Sequence, residues 1–192
     1  ASSVLRAAPS VEVRLDAAKS HGVWEGWGAS LAWMGKAYGD SERLADLLYT
    51  DKTVEFSGQK LPGLRFNIVR YNAGASSWNT LPDGRRMVAS NTILPFRQIE
   101  GFWIDPSNRD PASAAWDWSV DANQRTLLLR ARDRGANLFE LFSNSPMWWI
   151  TKNNNPSGAA DKGDNINPAH YDDFAYYLAT IARHARDHWG LS

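Results

Sequence analysis

Apolar positions along the chain follow two periods, and the switches between them mark the elements. Val11, Val13 and Leu15 alternate with Glu12, Arg14 and Asp16, the pattern of a half-exposed strand over residues 10–16. Residues 24–33 are apolar and bend easily at Gly26 and Gly28, and read as the first strand of a larger sheet. Asp40, Ser41 and Glu42 then offer a cap and an acidic first turn to a helix whose apolar face is Leu44, Leu47 and Leu48. Residues 64–72 form the second strand, with Leu64, Phe66, Ile68, Arg70 and Asn72 sharing a face. Ser119 is placed to cap a second helix over residues 120–134, with Leu127 and Leu128 inward and Gly135 as the stop. Residues 137–142 are the third strand. Asn167 and Pro168 open the last helix, which keeps Phe174, Tyr177, Leu178, Ile181, Ala185 and Trp189 on one face until Gly190 ends it.

An early strand followed by three strand–helix units implies an α/β fold with a parallel sheet and right-handed crossovers. Three units do not close a (β/α)8 barrel, which takes eight and about 250 residues. Left alone, such a sheet exposes apolar edges that invite association. Two long stretches lie outside the periodic text, residues 73–115 and 152–167. Loops of this length in a compact domain are functional or disordered, and the tryptophans and prolines of the first argue for order.

Composition narrows the classes. The 192 residues carry 21 basic and 21 acidic side chains, so no bulk field draws the chain to nucleic acid or to an anionic membrane. No apolar run approaches the ~20 residues of a membrane helix. Cysteine is absent, which removes disulfide and thiolate chemistry. Ten tryptophans is several-fold the usual share, and Trp78, Trp103, Trp116, Trp118, Trp148 and Trp149 sit among Asn, Ser, Asp, Pro or Gly. Flat apolar faces beside amides and hydroxyls suit a sugar ring, and they suit a core or a protein interface as well.

The chain turns on residues 137–150, where an apolar strand ends in Ser143-Asn144-Ser145-Pro146-Met147-Trp148-Trp149. Ligands bind at the C-terminal ends of parallel strands, and two indoles beside Asn144 suit a half-open pocket. Arg70, on the inward period of its strand, needs a carboxylate; Glu140 is one choice, an active-site acid another. His184 and His188 have helical metal spacing, but Ala185 stands where a zinc protease has Glu, and Asp161, Asp164, Asn165 and Asn167 come without the central Gly and the final Glu of a twelve-residue calcium loop. Gly26-Trp27-Gly28 lacks the third glycine of a dinucleotide fingerprint, Leu31 standing there. No metal and no cofactor are expected. Glycoside hydrolysis would need two carboxylates. The glutamates are Glu12, Glu25, Glu42, Glu55, Glu100 and Glu140, and no convincing pair stands among them. Glu140 lies roughly 13 Å deeper along its strand than Asn144.

Gly26–Trp33 (GWGASLAW), Asn67–Gly74 (NIVRYNAG), Ile99–Trp103 (IEGFW), Trp116–Arg125 (WDWSVDANQR) and Glu140–Trp149 (ELFSNSPMWW) resemble glycoside hydrolase family 30, nearest its endo-β-1,6-galactanase branch. The resemblance runs through essentially the whole chain. It implies a (β/α)8 barrel with a small attached β-sandwich, residues 1–22 giving a sandwich strand and residues 23–192 the first three βα units. It also implies retaining hydrolysis of β-1,6-galactan, such as arabinogalactan side chains, by two glutamates after strands four and seven. Both are expected beyond Ser192, leaving no catalytic residue in this chain. Carried over, Arg70 would keep the nucleophile ionised, and Asn72 would bind or support substrate. Asn144 would line the subsite of the cleaved sugar, where xylan- and glucosylceramide-cleaving relatives have Trp. Trp33, Trp148 and Trp149 would be pocket wall or its support. Ile150 stands where relatives often carry Met. The implied partners are a polysaccharide and the rest of the barrel, with no nucleic acid and no membrane, and the implied location is extracellular. A non-catalytic carbohydrate-binding fragment, or a barrel glycosidase acting on xylan or β-1,6-glucan, is the alternative.

Overall fold

The computed structural model describes residues 11–191. Its centre is a parallel three-stranded sheet in the order β1 (Gly28–Ser30), β4 (Ile68–Asn72), β5 (Leu138–Phe142). Register pairs Gly28 with Ile68, Arg70 with Glu140 and Asn72 with Phe142. Any Cβ at Gly28 would collide with the Ile68 carbonyl, so this first pairing requires glycine. The β1–β4 crossover holds α1 (Met34–Tyr38), α2 (Glu42–Tyr49) and an antiparallel hairpin of β2 (Thr53–Phe56) and β3 (Gln59–Pro62). The β4–β5 crossover holds the long loop and α3 (Ala122–Asp133), and α4 (Tyr171–Trp189) follows β5. A mixed α/β fold on a parallel sheet is therefore present, as the strand–helix alternation implied.

Several local signals act as read. Ser41 Oγ accepts from Leu44 N at 3.2 Å at the start of α2. Asn167 accepts from Ala169 N in the turn before α4, and Gly190 ends that helix in the left-handed conformation. Residues 11–16 pair with no strand among the described residues, and Val11, Val13 and Leu15 are exposed; the rest of the segment expected to serve a sandwich, residues 1–10, lies outside the described residues. Other expectations are corrected. β1 shrinks to three residues, leaving Trp24 and Trp27 exposed and edge-to-face at 4.9 Å. β4 begins at Ile68 rather than Leu64, after Arg65 takes a positive φ. Ser119 does not cap α3; its hydroxyl turns back to Asp117, and buried Asp121 stands at the cap position instead. The hairpin and α1 went unread. Ser57 and Gly58, both at positive φ, make the two-residue hairpin loop.

The two faces of the sheet differ. Val69 and Tyr71 pack with Leu127, Leu128, Ala131, Tyr177 and Ile181 of α3 and α4. The opposite face carries Ile68, Arg70, Leu138, Glu140 and Phe142 and is open, with the Arg70 and Glu140 side chains 45% and 57% exposed. Arg70 therefore sits, among the described residues, on an uncovered face rather than a buried one. Its pairing with Glu140 is right, with Nε 3.1 Å from Oε1.

Tryptophans order the long loop. Trp149 meets Trp103 edge-on at 4.9 Å, Trp103 stacks on Trp116 at 5.2 Å, and Trp116 stacks on Trp118 at 5.3 Å. Trp118 stacks on His184 of α4 at 3.6 Å. Trp103, at the centre of this ladder, is buried and donates to the carbonyls of Asp105 and Asn108 at 2.8 and 3.1 Å. Trp103→Ala should destabilise the protein by about 3–5 kcal/mol in urea unfolding. Trp78→Ala, at an exposed position, should change stability by no more than about 0.5 kcal/mol.

Candidate active-site cleft

The C-terminal ends of β4 and β5 meet at Asn72 and Asn144. Gln124, wholly buried on α3, grips the backbone of Asn72 from both sides: Asn72 N donates to Gln124 Oε1 at 3.1 Å, and Gln124 Nε2 donates to Asn72 O at 3.0 Å. Asn72 is itself buried, and its Oδ1 accepts from Asn144 N at 3.0 Å. Ser143 Oγ, 2.9 Å from Ala73 O and 2.6 Å from Ser145 O, fixes the chain just before the turn. Asn144 is thus held by its backbone and keeps an exposed side chain.

Above these residues opens a cleft of about 490 Å³. Asn72 and Asn144 line it together with Trp33, Arg97, Asp164 and Asn165. The Arg97 guanidinium lies 5.1 Å over the Trp33 ring. Asp164 accepts from Ile166 N at 3.0 Å and from the Tyr171 hydroxyl at 2.9 Å, and these bonds hold its carboxyl below the usual range. Asp164 is the single carboxylate lining the cleft among the described residues. Retaining glycoside hydrolysis uses two, about 5–5.5 Å apart, so the cleft among the described residues does not carry that pair.

Of the residues singled out from sequence, Trp33, Asn72 and Asn144 come together here. Arg70 lies two residues deeper on β4, outside the cleft lining, with its guanidinium 3.7 Å from the Phe142 ring centroid. Trp148 and Trp149 do not line a half-open pocket; they are 0% and 4% exposed. Pro146 turns the chain into a short helical turn, Trp148–Ile150, that tucks both indoles beneath the cleft. Trp148 Nε1 there donates to Asn79 Oδ1 at 3.1 Å. Arg97 carries no signal in the sequence, and Asp164 and Asn165 read there only as part of an incomplete calcium loop, since all three stand in stretches without period; the length of those loops was the one pointer to a site.

His184 serves packing. Burial, then the neighbouring His188 and Arg125 charges, lower it to about 4, so the ring stacked on Trp118 is neutral at pH 7. Among the described residues no three His, Cys, Asp or Glu side chains gather as a metal would require.

Asp121 anchors the network behind the cleft, accepting from Tyr71 Oη at 2.6 Å and Gln124 Nε2 at 2.5 Å. Burial pushes its carboxyl up to about 7, against the opposing effect of those two bonds. The native state then holds a proton that the unfolded chain releases near pH 4. The stability this confers is full below about pH 4, falls as pH rises and is gone once pH passes about 7, a span worth up to about 4 kcal/mol. Asp121→Asn should flatten the stability profile between these limits, measured by chemical unfolding across the pH series.

Comparison with known proteins fits this geometry. The profile of O-glycosyl hydrolase family 30 matches residues 10–191. The chain is 50% identical over 186 residues to the endo-β-1,6-galactanase of Hypocrea rufa, covering 97% of this chain and 38% of that protein. It is 26% identical over 205 residues to the exo-β-1,6-galactobiohydrolase of Bifidobacterium longum subsp. longum, covering 84% of this chain and 13% of the relative. The crystal structure of a conserved exported protein from Bacteroides fragilis superposes with a TM-score of 0.68 at 25% identity, over 90% of this chain and 33% of that one. The chain thus spans well under half the length of these relatives, and by its match over nearly all its residues it belongs to O-glycosyl hydrolase family 30.

Proposed function

We propose that this chain is the substrate-cleft part of a hydrolase that cleaves β-1,6-linked galactan by the retaining, two-glutamate route, with both glutamates supplied by polypeptide outside residues 1–192. The observation that carries the reading is Asn144, presented by Asn72 at the floor of a sugar-sized cleft. The 50% identity to an endo-β-1,6-galactanase supports it. Galactose carries an axial hydroxyl, and a polar amide at that position offers it a partner that an indole could not. Trp33 supplies the apolar contact for the sugar's C–H face.

In this reading the three strands are the first of a (β/α)8 barrel, and residues 23–192 make its first three βα units. The free edges of β1 and β5 take neighbouring strands, and the open face of Arg70, Glu140 and Phe142 becomes the barrel interior. Residues 1–22 give a strand to an attached sandwich. The acid protonates the glycosidic oxygen, the nucleophile attacks the anomeric carbon, and water hydrolyses the glycosyl-enzyme with the acid now acting as base. Arg70 is prepared for its part. Phe142 supports the guanidinium plane and Glu140 takes its Nε, so the terminal nitrogens remain to hold a nucleophile carboxylate ionised. No cofactor enters this chemistry, and the partners are the polysaccharide and the rest of the barrel, not nucleic acid or membrane. No helix among the described residues is long and apolar enough to cross a membrane. A polymeric substrate places the enzyme outside the cell.

The full-length protein should release reducing sugar from β-1,6-galactan in preference to xylan and β-1,6-glucan, and preference for either of the latter would overturn the specificity. Asn144→Ala should lower kcat/KM on galactan by roughly 10- to 100-fold, as expected when a polar group that meets a substrate hydroxyl is lost. Arg70→Met should lower kcat and move the acidic limb of the kcat/KM–pH profile upward by roughly one unit, because the nucleophile loses its charge partner. Turnover by residues 1–192 alone would sink the placement of the glutamates elsewhere.

A further inference from the structure

Resting on the galactan reading, we propose that Asp121 is a positioning residue for the cleft. It fixes the Gln124 amide that clamps Asn72, and so couples galactan binding at Asn144 to a proton held behind the cleft. Asp121 is 2% exposed and lies outside the cleft lining, so it acts only through its neighbours.

The coupling runs through one primary amide. Gln124 Nε2 has two hydrogens: one goes to Asn72 O at 3.0 Å, the other to Asp121 Oδ2 at 2.5 Å. Both partners are acceptors, so the amide nitrogen must face them and Oε1 must face Asn72 N, 3.1 Å away. Reversed, the amide would set oxygen against two acceptors and nitrogen against a donor. Asp121 thus decides which way round Gln124 stands. Asn72 Oδ1 accepts from Asn144 N at 3.0 Å and carries that setting into the cleft.

The other oxygen of the carboxyl is the sensitive one. Asp121 Oδ1 is buried and has no hydrogen-bond partner among the described residues. A proton can sit there without disturbing Oδ2, whereas a negative charge there meets no donor. The surrounding groups are spent elsewhere. Tyr71 of β4 donates to Oδ2 at 2.6 Å, and Tyr177 of α4 donates to Gly74 O at 2.6 Å. Arg125 of α3 gives its guanidinium to the carbonyls of Trp118, Ser119 and Val120. Lys36 of α1 favours ionisation by its charge, but its ammonium is paired with Glu100 Oε1 at 2.5 Å, and the Glu100 charge opposes ionisation. Burial outweighs these effects and holds the carboxyl protonated up to about 7. At higher pH the charge on Oδ1 calls for water, which enters only by opening the packing at the start of α3. That loosens the Gln124 clamp and the Asn144 subsite with it. Binding to the ordered subsite therefore favours the protonated carboxyl, and by linkage takes up a proton.

The test is calorimetry on the full-length protein with sulfur-linked β-1,6-galactobiose, a probe whose thioether resists hydrolysis. Affinity should fall roughly tenfold between about pH 5.5 and about pH 8.5. Near neutral pH, binding should take up a proton, seen as a binding enthalpy that varies with the ionisation heat of the buffer. Asp121→Asn keeps an acceptor for Gln124, tolerates the left-handed backbone found there and cannot ionise, so both the fall and the uptake should vanish. Glu100→Gln removes the opposing charge, so the fall should come at lower pH. A flat wild-type affinity, a fall that persists in Asp121→Asn, or one unmoved in Glu100→Gln would overturn the inference and leave the galactan reading intact. Failure to bind the probe at any pH would also overturn it, and failure to cleave β-1,6-galactan as well would overturn both.

Discussion

The cleft depends on one buried amide. Gln124 saturates both polar groups of Asn72, where the β4 ladder stops and the backbone would otherwise have no strand partner. A buried N–H or C=O left unpaired costs about 1–3 kcal/mol, so the clamp fixes where the strand ends as well as holding it there. From that point the order is directional: α3 sets Gln124, Gln124 sets Asn72, and Asn72 sets Asn144. Asp121 and Tyr71 close the network from below, so the position of a cleft-lining residue is decided by side chains that lie outside the cleft.

The fold was legible where local chemistry and tertiary packing agree. Asn167 caps the turn Pro168–His170 that leads into α4, and α4 itself has early acids, late bases and a terminal Gly190, and runs as its pattern requires. The parallel order followed from strands alternating with helices. Legibility failed where a partner decides the outcome. Val11, Val13 and Leu15 alternate faultlessly and find no strand to pair with among the described residues, because periodicity proposes a face and pairing makes the strand. Arg70 read as buried because period assigns a side chain to a face without saying whether anything covers it.

The cleft was legible by halves. Asn72 and Asn144 were visible because they end strands, and strand ends collect ligands in this architecture. Arg97 was not, and Asp164 and Asn165 showed only as an incomplete calcium loop, because all three are placed by loops whose own order comes from distant contacts such as Ile99 on Ala75. Tryptophan content pointed toward sugar, yet most of the indoles flagged in loop text serve to hold those loops. Composition counts rings and cannot tell an open face from one already covered by another ring.

That covering has an optical consequence. Trp116 lies near-parallel to Trp103 and to Trp118, with ring centroids 5.2 and 5.3 Å away, close enough for excited states to couple along the stack. The far-ultraviolet circular dichroism of this protein therefore carries an exciton contribution over its helical bands, and the size of that contribution tracks the order of the 73–115 loop. Emission, in turn, is weighted toward the solvent-facing Trp24, Trp27 and Trp78, none of which lines the cleft. Bulk tryptophan fluorescence is a poor gauge of sugar occupancy here, and a good gauge of whether the indole ladder is assembled belongs to dichroism.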